Sequence, residues 1–243
     1  GLVNTTKSPY ARIWNTDVSA VSWTDGFWGE RFEVCRDTMV INMWHVMSDP
    51  EVSHAFRNLE IAAGEAEGRH SGPPFNDGDF FKWFESAAAV YAVTKDPKLD
   101  ALMDRIITTI AKAQREDGYM HTQVIIPERK RQKEQASQQS GPVGTAVGTA
   151  QGGAFSDRLN FETYNHGHLM TAACVHYRAT GKRNMLELAI KAADFLCRFY
   201  ETATAELARN AICPSHYMGV VEMYRTTGDP KYLDLSKNLI NIR

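Results

Sequence analysis

The sequence predicts an all-α protein of the α/α toroid, (α/α)6-barrel type, with this chain forming an incomplete ring. Three observations predict this architecture. A Tyr-x-x-Thr motif occurs three times, at residues 91–94, 177–180 and 224–227. An amphipathic helical pattern follows each motif, whereas the segments before the motifs are rich in Ala and aromatic residues. Strand signals are weak throughout. Buried helices that alternate with amphipathic ones are typical of stacked helical hairpins, which form an inner and an outer ring.

The helices are expected in a definite order. Two lie near residues 29–47 and 53–66, and the first buried helix covers 79–94. An amphipathic helix follows it, with apolar residues at helical spacing up to Ala113. The second hairpin has a buried helix over 168–180 and an amphipathic helix after it, and the third starts at His216.

Glycine and proline mark the turns inside these hairpins. Gly181 and Gly228 follow buried helices, where a left-handed glycine commonly ends a helix. Pro97 and Pro230 begin the next helices, where the missing N–H group costs nothing. The turns therefore support the same division into hairpins.

One segment interrupts the repeats. Residues 117–163 show no convincing helical pattern; 127–134 are strongly charged, and 135–153 are rich in Gln, Ser, Gly, Thr and Ala. We expect a flap or mobile insert at about 127–160, most mobile at 133–153. The basic stretch is interpreted as a solvated surface patch. The predicted organisation is an N-terminal extension over 1–20 and a partial barrel over 21–243.

The number of predicted helices bears on completeness. About eight are predicted, fewer than a closed ring of six hairpins needs, and an amphipathic pattern is still running at Arg243. We therefore expect the 243 residues to be part of a longer protein.

Composition excludes several classes of function. Lys and Arg number 27 and Asp and Glu 29, so the net charge is −2 and gives no footprint for nucleic acid or an anionic membrane. No apolar run reaches the roughly 20 residues that span a bilayer. The cysteines lack metal-site or disulfide spacing and are interpreted as small core residues: Cys35, Cys174, Cys197 and Cys213. The compartment stays open between cytoplasmic and periplasmic or secreted, and a homo-oligomer is compatible with the sequence.

Polar clusters mark the start of each buried helix. They are Asn-Asp-Gly-Asp at 76–79, Asn-His-Gly-His at 165–168 and Cys-Pro-Ser-His at 213–216. If the hairpins stack, all three lie at one rim of the inner ring, as a pocket for a polar ligand requires. Sugars need convergent hydrogen-bonding groups and an aromatic face. The candidate contacts are Asp79, Trp83, His121, His166, His168 and His216.

Simpler explanations exist for the same residues. Asp and Asn at helix starts are ordinary N-caps, and single histidines are often structural. Cys213 and His216 alone are too few for a zinc site, so no metal site is predicted in this chain. Asp77 and Asp79 are too close in sequence to flank a glycosidic bond from opposite sides.

Several stretches in fixed order resemble one family. They include Asn-Leu-Glu-Ile-Ala-Ala-Gly at 58–64, Asp-Gly-Asp-Phe-Phe-Lys-Trp at 77–83, Glu-Asp-Gly-Tyr at 116–119 and Tyr-Asn-His-Gly-His-Leu at 164–169. Their order and spacing resemble the β-L-arabinofuranosidases of glycoside hydrolase family 127. The resemblance runs from Val21 onward, and only the 127–153 insert falls outside it.

The resemblance implies an (α/α)6 barrel followed by β-sandwich domains. It also implies retaining hydrolysis, with a Cys nucleophile on a zinc ion and a Glu as acid/base. These family positions fall after Arg243, so no catalytic residue and no bound cofactor are expected in this chain, and zinc is expected in the longer protein. His168 and His216 carry over as sugar-binding residues, and Asn58 is a looser transfer. His121 stands where the family pattern suggests Asn, so substrate preference there is open.

Three hypotheses follow. The first is an N-terminal portion of a glycoside hydrolase that releases terminal L-arabinofuranose or a similar sugar from plant-type glycans, the fragment itself being inactive. The second is another (α/α)6 sugar enzyme, an epimerase or unsaturated-uronyl hydrolase, that needs no zinc. The third is a non-catalytic helical-repeat module that binds carbohydrate.

Overall fold

The computed structural model describes residues 5–138, 154–155, 157–209 and 212–242. Within these residues the regular structure is entirely helical and no strand is present. The α-helices are α1 (Gly26–Val34), α2 (Val40–Ser48), α3 (Ala55–Ala63), α4 (Asn76–Thr94), α5 (Pro97–Ala113), α6 (Thr122–Gln138), α7 (Glu162–Thr180), α8 (Asn184–Thr202), α9 (Ala205–Arg209), α10 (His216–Thr227) and α11 (Pro230–Ile242). None of them is long and apolar enough to cross a membrane.

The two helices expected before the hairpins are present. A π-helical segment, Cys35–Met39, joins α1 to α2, so the expected helix near 29–47 runs without a break. Helix α3 is bounded by left-handed residues, His54 with φ 62° and Gly64 with φ 76°. Asn58 pins the following loop, because its side chain exchanges two hydrogen bonds with the backbone of Ser71.

The three predicted hairpins are confirmed as α4–α5, α7–α8 and α10–α11. The helices α4, α7 and α10 pack side by side, and each hairpin partner covers one side. They run parallel: Gly78 of α4 bonds to Asn165 near the start of α7, and Lys95 after α4 bonds to Ala179 at the end of α7. This is the inner row of an α/α toroid.

Glycines allow the inner helices to approach closely. A Cβ atom at Gly78 would lie 2.4 Å from the Tyr164 ring. A Cβ atom at Gly167 would lie 2.3 Å from the backbone carbonyl carbon of Ser215. Both distances are far inside van der Waals contact, so larger residues would push the helices apart.

The outer helices present one apolar face to the inner row. Helix α5 buries residues at helical spacing, including Leu99, Met103, Ile106 and Ile110. Each such side chain contributes about 1.5–3 kcal/mol when it is fully buried. Lys182, in the turn between α7 and α8, pairs with Asp100 and Asp104 of α5, both at 2.7 Å.

The interrupting segment differs from the prediction. Residues 122–138, expected to lack a helix, form α6. Its first turn buries Val124, Ile125 and Ile126 against the core, and Arg129 donates to the backbone carbonyls of Ala62 and Lys112. Apolar periodicity did not predict this helix, because most of its residues are charged or polar and Pro127 lies inside it. The greater mobility predicted for 133–153 mostly concerns residues outside those described, 139–153.

Candidate functional site

The N-terminal ends of α4, α7 and α10 lie at one end of the inner row. Gly78 donates its N–H to Asn165 Oδ1 at 2.8 Å, and Gly167 contacts the backbone of Ser215 and His216. The three polar clusters of the sequence are therefore brought together. The cluster at 165–168 was expected at the start of a helix. It lies instead inside the first turns of α7, because α7 begins at Glu162, three residues before the cluster.

A partly exposed polar strip faces away from the outer helices at this end. Asp79 Oδ1 accepts hydrogen bonds from Tyr164 Oη at 2.5 Å and lies 2.8 Å from Lys82 Nζ. The Tyr164 ring meets the His168 ring edge to face, with centroids 4.5 Å apart. We call Asp79, Lys82, Tyr164 and His168 the rim strip. Two of its members, Lys82 and Tyr164, were not candidates from the sequence.

Electrostatics fix the protonation of the rim strip. The pKa of His168 is lowered to about 4, mainly by burial and also by the positive charge of Lys82, which the negative charge of Asp79 opposes less strongly. Burial alone lowers the pKa of Lys82, but its hydrogen bonds to Asp79 and Tyr164 outweigh this and raise it. At neutral pH, His168 is therefore a neutral ring with one donor and one acceptor, and Lys82 is a cation.

A second, buried cluster lies behind the rim strip. Asp77 accepts hydrogen bonds from the N–H and the hydroxyl of Thr122, both at 2.7 Å. His121 Nδ1 lies 3.5 Å from Asp77 Oδ2 and 2.9 Å from Asn165 Nδ2. Burial raises the pKa of Asp77, but bonds from His121 and Thr122 outweigh it and the pKa is lowered. This cluster joins α4, α6 and α7. It keeps His121 fully buried.

His166 is committed to the fold. Its Nδ1–H donates to the Glu162 carbonyl at 2.8 Å, and its Nε2 accepts from the Met120 N–H at 3.3 Å. Burial lowers its pKa to about 4, so the ring is neutral at neutral pH. Glu162, whose pKa burial raises, accepts hydrogen bonds from Tyr119 Oη and the Phe155 N–H. The Nδ1–H bond lies within α7 and orients the ring, and the Nε2 bond holds Met120, in the segment before α6, against α7.

His216 is also buried, at the first residue of α10. Its ring stacks on Tyr200 at 5.8 Å, and the Tyr200 hydroxyl lies 3.4 Å from Nε2. The neighbouring Tyr217 ring is 4.7 Å away. The described residues therefore place His216 beneath the surface of the rim and not on it.

Two sequence candidates lie in packing positions. Trp83 is 5% exposed, stacks on Trp44 and donates its indole N–H to the Val40 carbonyl at 2.9 Å. Asn58 is fully buried and holds Ser71. The structure corrects the expectation that these side chains face a ligand, because α2 and the loop after α3 cover the sides of the helices that carry them.

The described residues contain no group of three or more His, Cys, Asp or Glu side chains arranged to hold a metal ion. The zinc that the family resemblance implies stays a prediction. Burial raises the pKa of Cys174 and Cys197 to about 11, which keeps both as unreactive thiols at neutral pH.

Comparisons with known proteins agree with this architecture. The family described as "Beta-L-arabinofuranosidase, GH127 catalytic domain" matches residues 20–243. A curated relative, the non-reducing end beta-L-arabinofuranosidase of Bifidobacterium longum subsp. longum, is 30% identical over an alignment 246 positions long, which covers 92% of this chain and 34% of the relative.

Solved structures give the same picture. One, described as a glycoside hydrolase, is 47% identical with a TM-score of 0.69; the match covers all of this chain and 30% of the solved chain. The GH127 beta-L-arabinofuranosidase Ara127N-Se of Geobacillus stearothermophilus T6 is 30% identical with a TM-score of 0.74, covering 92% of this chain and 32% of its own.

The chain spans about a third of the length of these relatives. The family match covers nearly all of its residues, including the three hairpins and the rim strip. The chain therefore belongs to the GH127 β-L-arabinofuranosidase family.

Proposed function

We propose that the protein carrying this chain is a glycoside hydrolase that releases terminal L-arabinofuranose or a similar sugar from plant-type glycans. In this proposal the chain supplies part of the wall that binds the terminal sugar. The observation that carries it is the rim strip: Asp79 and His168 are partly exposed, adjacent and on neighbouring inner helices of a chain in this family.

The rim strip has the chemistry that a neutral sugar needs. The Asp79 carboxylate accepts hydrogen bonds from sugar hydroxyls, and the neutral His168 ring both donates and accepts. The Tyr164 ring between them offers an apolar face to the sugar carbons. A sugar held by several directed contacts has its anomeric carbon fixed in place, which contributes to the rate of bond cleavage.

The buried histidines act indirectly in this proposal. His121 and His166 hold the segment around residues 119–122 against the starts of α4 and α7, and so position Asp79 and His168. His216 stacks on Tyr200 of α8 and so holds the start of α10. Zinc, when bound in the longer protein, would stabilise the thiolate form of the Cys nucleophile that the family resemblance implies.

Kinetics of the complete protein on an aryl β-L-arabinofuranoside test the proposal. We expect His168→Ala to raise KM at least about tenfold, because it removes a directed hydrogen bond to the sugar. The matched control is Ser86→Ala, an exposed α4 residue that bonds only to the Lys82 carbonyl within its own helix. Wild-type activity in His168→Ala, or no hydrolysis by the complete wild-type protein, would contradict the proposal.

The 243-residue chain by itself gives a second test. It holds no expected nucleophile or acid/base, so we expect no release of the aryl group above background. Clear turnover by the purified chain would show that catalytic groups lie within it.

A further inference from the structure

The polar surface of the inner helices continues below the rim strip. Glu85 lies six residues after Asp79 and three residues after Lys82 on α4, so all three lie on one side of the helix. At 1.5 Å per residue, Glu85 lies about 9 Å further along the axis than Asp79. It is partly exposed on the side that the outer helices leave open.

Glu85 is joined to the next inner helix. Thr171 Oγ1 lies 2.8 Å from Glu85 Oε2 and 3.3 Å from the carbonyl of His168, one turn earlier on α7. The threonine hydroxyl has a single proton, so it serves one of these acceptors at a time unless Glu85 itself carries a proton. Glu85 is thus linked through one hydroxyl to His168 of the rim strip.

The other carboxyl oxygen of Glu85 is available. Among the described residues only Thr171 hydrogen-bonds to this carboxyl group. Arg178, whose positive charge acts on Glu85, is bound to Glu222 at 3.1 Å and to Thr226 at 2.9 Å. Burial raises the pKa of Glu85, and the charge of Glu222 adds to that, while Thr171 and Arg178 oppose it.

The space below Glu85 is closed by the N-terminal segment. Asp17, Val18 and Ser19 lie across Ala89 of α4 and Val175 of α7, and the cleft left between them is about 30 Å³. Ala89 is one turn beyond Glu85 on the same helix. Glu85 is therefore the last carboxyl group on α4 before the floor of this open side.

We propose that Glu85 is a further sugar-binding residue, which accepts a hydroxyl hydrogen bond from the deepest part of the bound sugar and selects neutral over anionic sugars. The inference rests on the proposed function, since it places the sugar against the rim strip. Asp79 and Glu85 together put two carboxyl groups along one sugar-sized surface. The carboxylate of a uronate would be repelled by both groups, whereas a pentose or neutral hexose has only hydroxyl groups, which donate hydrogen bonds to them.

The test uses the complete protein and three variants, Glu85→Gln, Thr171→Val and Ser86→Ala. Glu85→Gln keeps the size of the side chain and removes its charge. We expect it to raise KM for the aryl arabinofuranoside about tenfold with kcat changed less than threefold, and to improve inhibition by galacturonate relative to L-arabinose. Thr171→Val should lower the melting temperature with a smaller change in KM, and Ser86→Ala should change neither.

A structural role would give a different pattern. If Glu85 only joins α4 to α7, Glu85→Gln and Thr171→Val lower the melting temperature alike and leave KM and the inhibitor preference unchanged, which overturns the inference.

Failure of the proposed function is recognised separately. If the wild-type protein does not cleave arabinofuranosides, calorimetric titration with neutral monosaccharides replaces kinetics. Weaker binding of a neutral sugar by Glu85→Gln than by wild type then supports Glu85 as a sugar-binding residue, and equal binding, or no binding to either protein, overturns it.

Discussion

At the scale of single residues, the repeated threonine explains the turn of every hairpin. Thr94, Thr180 and Thr227 each donate to the carbonyl four residues earlier and accept from the N–H two residues later. The tyrosine three residues before each threonine offers its carbonyl to the first residue after the helix. One side chain therefore ends the inner helix and starts the turn.

This arrangement predicts the cost of losing the hydroxyl. Thr180→Val should lower the free energy of unfolding by about 1–2 kcal/mol, because it leaves the N–H of Lys182 without this partner. The matched control is Thr108→Val, whose hydroxyl only donates to the carbonyl of Asp104 within its own helix. Urea unfolding measures both, and an equal loss in the two variants would contradict a special role for the turn.

His176 makes stability depend on pH. It is fully buried on α7 and, within the described part of the chain, neither ring nitrogen has a hydrogen-bond partner. Burial lowers its pKa from 6.5 to about 4. Between pH 6.5 and 4, His176 is therefore protonated in the unfolded chain and neutral in the folded one. The free energy of unfolding falls as the pH drops through this range, by up to about 3 kcal/mol.

A variant isolates this contribution. His176→Phe should lose less stability than wild type between pH 7.5 and pH 4.5, and its ring would pack beside Phe84, whose centroid lies 5.6 Å from the histidine. His166 continues to titrate in both proteins. Urea unfolding at the two pH values gives the difference, with the exposed His45→Gln as control; the same pH dependence in His176→Phe as in wild type would refute the assignment.

Sequence reasoning placed His168 and Asp79 at one end of the inner helices, and both are partly exposed there. Their contact with a sugar stays a prediction. Trp83 and Asn58 were predicted to contact a ligand, but both are buried by neighbouring segments. A helix here is covered on several sides, and the helical period alone does not distinguish its open side. Tyr164 lies in the motif at 164–169 but was not proposed as a contact. Its place in the rim strip comes from a hydrogen bond to Asp79, 85 residues away in the sequence.

At the scale of the element, the hairpins followed from the sequence, because turn chemistry and apolar spacing agree in each of them. Helix α6 did not. Its apolar residues Val124, Ile125 and Ile126 are consecutive, which gives no helical period, and its later residues are charged. What stabilises α6 is long-range: Arg129 reaches backbone carbonyls at the ends of α3 and α5. Such contacts are not visible in a local window.

The spacing of the inner helices gives a prediction at this scale. Gly167→Ala should destabilise the protein by about 3 kcal/mol, because the new Cβ meets the backbone of Ser215 and not a flexible side chain. Gly29→Ala is the control: its Cβ would be 3.7 Å from the nearest heavy atom, and alanine is the better helix former. Thermal unfolding compares the two, and a neutral Gly167→Ala would show that α7 and α10 have room to separate.

At the scale of the whole molecule, the helices α1 and α2 leave a large apolar surface. Phe27, Trp28 and Met39 are 63%, 65% and 60% exposed, and further apolar side chains are exposed along the same two helices. Contiguous apolar patches of this kind usually mark a surface that another segment or protein covers. The relatives are about three times as long as this chain.

This surface predicts how the 243-residue chain behaves alone. It should self-associate at micromolar concentration, and Trp28→Ser with Met39→Ser should shift it towards the monomer. Light scattering after size-exclusion chromatography measures the mass of each form. A wild-type chain that stays monomeric and binds no hydrophobic dye would contradict self-association through this apolar surface.

The central claim is that the starts of α4 and α7 form a wall that binds one neutral sugar. The most direct measurement is a crystal structure of the complete protein with L-arabinose. We expect the sugar hydroxyls within hydrogen-bond distance of Asp79 and His168, with the ring against Tyr164. A sugar bound at a site that touches none of these three side chains would contradict the claim.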